Sequence, residues 1–189
     1  MGLTKQEIIT TAVTLFKEKS FSATSMQEIA EALHVTKAAL YYYISSKEEI
    51  LYEIFHQTMT TAEIRLERLM ERNLPTEELL REIIYNQIMA FIDEMANITI
   101  FFSETVHLPP EHQKSINDRR KRYQDTIAGV LQKGIENDTF RKIDINPIVY
   151  GIVGMCNWLY HWYKLDGRLK PEEIADLYAD MIFNGIIKK

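Results

Sequence analysis

The sequence has one cysteine, Cys156, which excludes an intrachain disulfide and a cysteine metal cluster. Glycine and proline are also scarce, seven and five in 189 residues, and no glycine falls between Gly2 and Gly129. No stretch shows sustained strand-like alternation either, so the chain reads as all-helical. No apolar run reaches membrane-spanning length and the N-terminus has no apolar signal segment, so the expected location is the cytoplasm, with no membrane partner. An excess of basic charge is missing as well. The chain is −5 overall, and its first fifty residues hold five lysines against six glutamates. Nucleic-acid contact there has to rest on a small set of local groups rather than on a basic field. Glycine-rich phosphate loops, Gly-x-Ser-x-Gly and His-Glu-x-x-His are all absent. His56, His107, His112 and His161 have no metal-ligand spacing. The residues therefore point to neither an enzyme nor a metal site, and no cofactor is expected.

What is present is concentrated between Thr24 and Lys47. Ser25 with Glu28 three residues later forms a capping-box pattern, and Met26, Ile29, Ala30 and Leu33 come next at i, i+3, i+4, i+7. His34-Val35 breaks that helix, Thr36 caps the next, and Ser46 with Glu49 repeats the box. Two short helices joined by a tight turn and followed by a third make a helix-turn-helix. The second helix opens on Thr36, Lys37 and Ala38, whose small or polar side chains suit base edges. Tyr41, Tyr42 and Tyr43 then stand in a row. Helical residues are ~100° apart, so at least one ring projects outward, with a hydroxyl for a phosphate and an apolar face for a thymine methyl. Lys47, in the first turn of the next helix, offers an ammonium beside backbone N–H groups that suit a phosphate. Ser25, Thr36, Lys37, Ala38, Tyr41, Tyr42, Tyr43 and Lys47 are thus the candidate DNA contacts.

This segment resembles the DNA-binding domain of the TetR family of bacterial repressors. Thr24, Ile29-Ala30, Val35, Leu40-Tyr41, Tyr43 and Lys47-Glu48 stand where that family's signature has its threonine, Ile-Ala pair, turn valine, Leu-Tyr, His/Tyr and Lys-Glu. Two positions depart from it. His34 replaces the turn glycine, and histidine is among the residues that tolerate a left-handed backbone. Ile44 replaces an aromatic and suits the same core position. The resemblance implies a homodimer on a palindromic double-stranded operator, with a small-molecule effector held by the rest of the chain.

The remaining pattern fits an N-terminal three-helix head and a C-terminal bundle. Residues 1–47 read as the helix-turn-helix DNA-binding domain and 48–189 as the ligand-binding and dimerisation domain. Ile8, Ala12, Leu15 and Phe16 on a first helix cover Phe21, Met26, Ile29, Leu33, Val35, Leu40 and Leu51. So small a core is marginal, and the head should depend on helices later in the chain. From Ser46 a helical pattern runs to about Arg72, which at ~1.5 Å per residue extends about 40 Å. Further helices read as Thr76 to Met95, Asn97 to Val106, Glu111 to Asn137, a very apolar stretch after Pro147, and a last one after Pro171.

Gly151 and Gly154 leave a flat strip for close helix approach, and the resemblance implies that the last two helices pair with their mates in the dimer. NWLYHWYKLDGRLKPEEIADLYADMIFNG resembles the C-terminal end of a TetR subgroup that often answers to acyl-CoA thioesters. Phe91, Met95, Phe101, Phe102, Tyr123, Trp158, His161 and Trp162 are the candidate lining for an acyl-CoA or other hydrophobic effector, and core or interface packing explains any single one of them equally well. The basic run Arg119 to Arg122 suits either ligand phosphates or a solvated face. Together these readings give a DNA-binding regulator released by its effector. The alternative is an effector-binding or scaffolding dimer without specific DNA binding.

Overall fold

The computed structural model describes residues Gly2–Ile187. The chain is helical: α1 Lys5–Lys19, α2 Met26–Ala32, α3 Lys37–Tyr43, α4 Lys47–Met70, α5 Thr76–Asp93, α6 Met95–Glu104, a 3-10 turn Thr105–His107, α7 Pro110–Glu136, α8 Ile145–Asn157, α9 Leu159–Trp162 and α10 Pro171–Ile186. No strand occurs among the described residues, where one isolated bridge pairs Phe140 with Ile187. Among the described residues no helix is long and apolar enough to cross a membrane.

The residues group into two compact units. One comprises the chain up to Met59 together with Ala96–Asn117, and the other Thr60–Met95 with the chain from Asp118 onward. The continuous helix α4 contributes to both, changing unit between Met59 and Thr60.

In the first unit, short-range capping fixes the helices. Thr4 begins α1 with a capping box to Glu7, Ser25 begins α2 with one to Glu28, and the Thr36 hydroxyl accepts from Ala39 N–H at the start of α3. The box at α4 is completed differently from the sequence pattern. Ser46 Oγ accepts from Glu49 N–H, but the Glu49 carboxylate turns back to Ser45, taking its N–H and hydroxyl. The α2–α3 turn closes with His34 N–H on Glu31 C=O and Val35 N–H on Ala30 C=O, both 3.0 Å. That pair of bonds is a Schellman ending, which needs a left-handed residue at its centre. His34 supplies it with φ 56°.

Ile8, Ala12, Phe16, Phe21, Met26, Ile29, Leu40, Ile44 and Leu51 are buried as their spacing predicts, Ile9 joins them, and Leu15, Leu33 and Val35 are half-buried. The cluster is completed from far along the chain. Phe101 of α6 stacks on Phe55 of α4, His107 stacks on Phe21 at 5.2 Å, and His112 of α7 stacks on Tyr52 at 4.0 Å. These rings enlarge a core that about fifty residues could not make on their own.

In the second unit α5 packs against α10 and α8. Leu80, Ile83, Ile84, Ile88 and Phe91 of α5 are buried with Ile127 and Leu131 of α7, Ile152 and Cys156 of α8, and Ile174, Ala179 and Phe183 of α10. The Arg119 guanidinium forks onto both Glu63 oxygens and reaches Thr60 Oγ1 at 2.9 Å, tying α7 to α4. A glycine is required at Gly134, because a Cβ there would lie 2.1 Å from the Phe140 ring.

Two outcomes are expected from the head's local chemistry. A β-branched side chain is strongly disfavoured in the left-handed region, so His34→Val should lower unfolding free energy by about 1–2 kcal/mol, whereas His34→Gly should match or slightly exceed wild type in denaturant titration. Glu28 takes bonds from the Lys19 ammonium and from the Ser25 N–H and hydroxyl, and these lower its pKa from 4.5 to about 2. A folded pKa below the unfolded one means stability that is full above about 4.5 and lost as pH falls toward 2. Glu28→Gln should therefore melt below wild type at neutral pH, and the two melting curves should converge near pH 2.

Candidate nucleic-acid interface

Seven of the eight nominated contacts are exposed on the head. Ser25, Thr36, Lys37 and Ala38 are exposed, and so are all three tyrosines, with Tyr42 at 85 % of its surface. The reason is the register of α3. Its single buried residue is Leu40, Ile44 just after it is also buried, Ala39 is half-buried, and seven residues in under two turns leave the remaining positions outward. Tyr42 and Tyr43 meet edge to face at 5.3 Å, and the Lys37 ammonium lies 5.8 Å from the Tyr41 ring centre. The rings therefore support one another while remaining open to solvent. The first backbone N–H groups of α3, apart from the one that Thr36 caps, lie next to Lys37 and Ala38 and suit a phosphate or a base edge.

Lys47 sits differently from the other seven. It is half-buried, and its Nζ donates to Phe21 C=O at 2.6 Å and Thr24 C=O at 2.8 Å while lying 4.3 Å from the Phe21 ring centre. Two of its three ammonium protons thus close the loop before α2, leaving one for a phosphate. Its partners are 26 and 23 residues away in sequence, so no local pattern announces them.

The residues nominated for an effector are divided between the two units. Phe101 and Phe102 belong to the first unit, where Phe101 stacks on Phe55 and meets Phe102 edge to face. Phe91, Met95, Tyr123, Trp158, His161 and Trp162 belong to the second. Phe91 is buried and meets Tyr163 edge-on at 6.3 Å, Met95 is half-buried, and the Tyr123 hydroxyl accepts from Gln87 Nε2 at 3.1 Å. Trp158 is 58 % exposed with His161 against it at 3.9 Å, and Trp162 is also exposed. Spacing missed Gln87, although a polar residue on the buried stripe of α5 was a visible signal. In the basic run, Arg119 is held by Glu63 and Lys121 by Asp125, and burial lowers the pKa of Arg120.

Comparison with known proteins covers almost the whole chain. Residues 8–54 match the family "Bacterial regulatory proteins, tetR family", and residues 73–186 match "Tetracyclin repressor-like, C-terminal domain". The chain is 25 % identical over 186 residues to the HTH-type transcriptional repressor KstR2 of Mycobacterium tuberculosis, spanning 97 % of this chain and 92 % of that one. The crystal structure of the TetR family transcriptional regulator PfmR from Thermus thermophilus superposes with a TM-score of 0.88 at 32 % identity, over 94 % of this chain and 97 % of the other. That of AibR in complex with isovaleryl coenzyme A and operator DNA gives 0.85 at 31 % identity, over 95 % and 97 %.

The contrast between Tyr42 and Lys47 is testable. Tyr42→Ala removes an exposed ring and should leave the melting temperature unchanged while weakening binding to promoter DNA about tenfold or more. Lys47→Ala takes the partner from two carbonyls, so it should lower both the melting temperature and DNA affinity. Calorimetry and mobility shift on the two variants check this.

Proposed function

Because the chain belongs to the TetR family of bacterial transcriptional regulators, we propose that it acts as a repressor whose paired heads leave the operator when a small effector binds the second unit. It is a DNA-binding regulator, and its family and relatives are transcriptional regulators rather than enzymes. The observation that carries the reading is the outward row of Tyr41, Tyr42 and Tyr43 on a helix whose start also presents Thr36, Lys37 and Ala38. A seven-residue helix exposing three phenols has no folding reason to do so, since each ring would gain by burial.

The dimer forms through α8 and α10. Tyr150, Trp158, Leu177 and Met181 expose more than half of their surface on or next to these two helices, and a Cβ at Gly151 or Gly154 would meet nothing within 4 Å. Large apolar groups left in water together mark an interaction surface. Each head of a chain with net charge −5 makes few phosphate contacts, so specific affinity comes from two heads on one DNA molecule.

The effector is an acyl-CoA or another apolar small molecule. Supporting this are the 31 % identity to AibR, which was crystallised with isovaleryl coenzyme A and operator DNA, and the aromatic groups of the second unit. The effector need only prefer the DNA-free form by ~1–3 kcal/mol to act, and α4, continuous from the DNA head to the second unit, carries the change. A regulator of promoter DNA works in the bacterial cytoplasm.

Mobility shift with DNA from the protein's own promoter tests this. A specific complex should form and be released by a member of an acyl-CoA series that begins with isovaleryl-CoA. Leu177→Glu with Met181→Glu, both exposed in the protomer, should give a folded monomer by sedimentation and abolish the complex. Absence of a specific complex at every salt concentration would favour a scaffolding dimer instead.

A further inference from the structure

A polar pair is set into the apolar stripe of the second unit. On α5, Leu80, Ile83, Ile84, Ile88 and Phe91 are buried, and Gln87 falls on the same stripe, seven residues after Leu80 and four before Phe91. Its Nε2 donates to the Tyr123 hydroxyl of α7 at 3.1 Å. Its Oε1 is sealed from solvent and has no hydrogen-bond partner among the described residues. An amide oxygen in that condition weakens the fold, and such atoms are uncommon enough to call for a reason. The Tyr123 phenol is pushed up to about 12 by burial, so it keeps its proton and has that donor to offer. Around it are aromatic rings and a thiol, with the half-buried Arg120 one helical turn before Tyr123 on α7. Phe91 meets Tyr163, the buried Cys156 thiol lies within electrostatic reach of Tyr123 and Tyr178, and Tyr178 bonds with Trp162.

We propose that Gln87 and Tyr123 recognise a hydroxyl on the effector, which donates to Gln87 Oε1 and accepts from the Tyr123 O–H. The inference rests on the effector reading above and sharpens it. The pair leaves one acceptor and one donor, and if the Gln87 amide is turned over it again leaves one of each, with Nε2 donating and the phenol oxygen accepting. A hydroxyl satisfies both. A thioester carbonyl accepts only, which leaves the second atom of the pair buried and unpaired. Neither the Gln87 amide nor the protonated Tyr123 phenol carries a charge, which suits a neutral ligand atom. The effector class is therefore a hydroxylated apolar molecule, a β-hydroxyacyl thioester in preference to the saturated acyl thioester of the same length. Sites that hydrogen-bond a ligand hydroxyl reject the analogue lacking it far more strongly than apolar pockets discriminate by size.

Matched pairs measure this directly: isovaleryl-CoA against β-hydroxyisovaleryl-CoA, and octanoyl-CoA against β-hydroxyoctanoyl-CoA. Each is titrated for binding by calorimetry and for release of promoter DNA. In at least one pair the hydroxylated member should act at about tenfold lower concentration. Gln87→Met keeps the length of the side chain without its amide and should bring the effective concentrations of the two members of that pair together. Tyr123→Phe should reduce the preference in the same direction, and melting curves of both ligand-free variants report their folding. Equal action of both members on wild type, or an undiminished preference in both variants, overturns the proposal while leaving an acyl-CoA effector in place. Failure of every acyl-CoA to bind or release overturns that effector reading, and this inference with it.

Discussion

The Lys47 ammonium joins the first turn of α4 to the loop before α2, donating to the carbonyls of Phe21 and Thr24 and lying over the Phe21 ring. That loop and that turn bracket α2 and α3, so the position of the outward helix depends on a cation held by two backbone oxygens. Charge-assisted hydrogen bonds of this kind are roughly twice as strong as neutral ones. The same Phe21 ring carries His107 on it, and His107 in turn meets Ser22 and Glu104. A residue more than eighty positions downstream thereby helps to fix the entrance to the helix-turn-helix.

This arrangement answers a size constraint. A head of about fifty residues buries too little apolar surface to be secure on its own. Here it is completed by α6, the 3-10 turn and the start of α7, whose aromatic rings stack on Phe21, Tyr52 and Phe55. DNA binding is consequently linked to helices that are not themselves part of the helix-turn-helix. A change in α6 or in α4 has a direct route to the loop that Lys47 closes, without any need for a separate relay.

Much of the head was legible because its determinants are local. The Ser25 and Thr36 caps, the left-handed His34 and the outward Tyr42 all stem from residues within a few positions of one another. What was not legible is long-range. Nothing near Lys47 announces its carbonyl partners, and the Glu49 carboxylate pairs with Ser45 rather than Ser46. Apolar spacing likewise predicts burial but does not say against what, so Phe101 and Phe102 share the head's unit while Phe91 and Tyr123 lie in the other. Trp158 and His161 pack on each other, with Trp158 largely exposed. Gln87 carried a readable signal, a polar residue on a buried stripe, whose meaning appeared only with its orphaned oxygen.

If the exposed tyrosine helix of each protomer lies in a major groove, with two copies related by a twofold axis, the DNA itself should carry the imprint. Hydroxyl-radical footprinting on the protein's own promoter reads that imprint base by base. Two protected patches are expected on one face of the duplex, symmetric about an inverted repeat and separated by about one helical turn or a small multiple of it. A single unpaired patch, or protection spread evenly without regard to sequence, would refute a twofold pair of groove-bound heads.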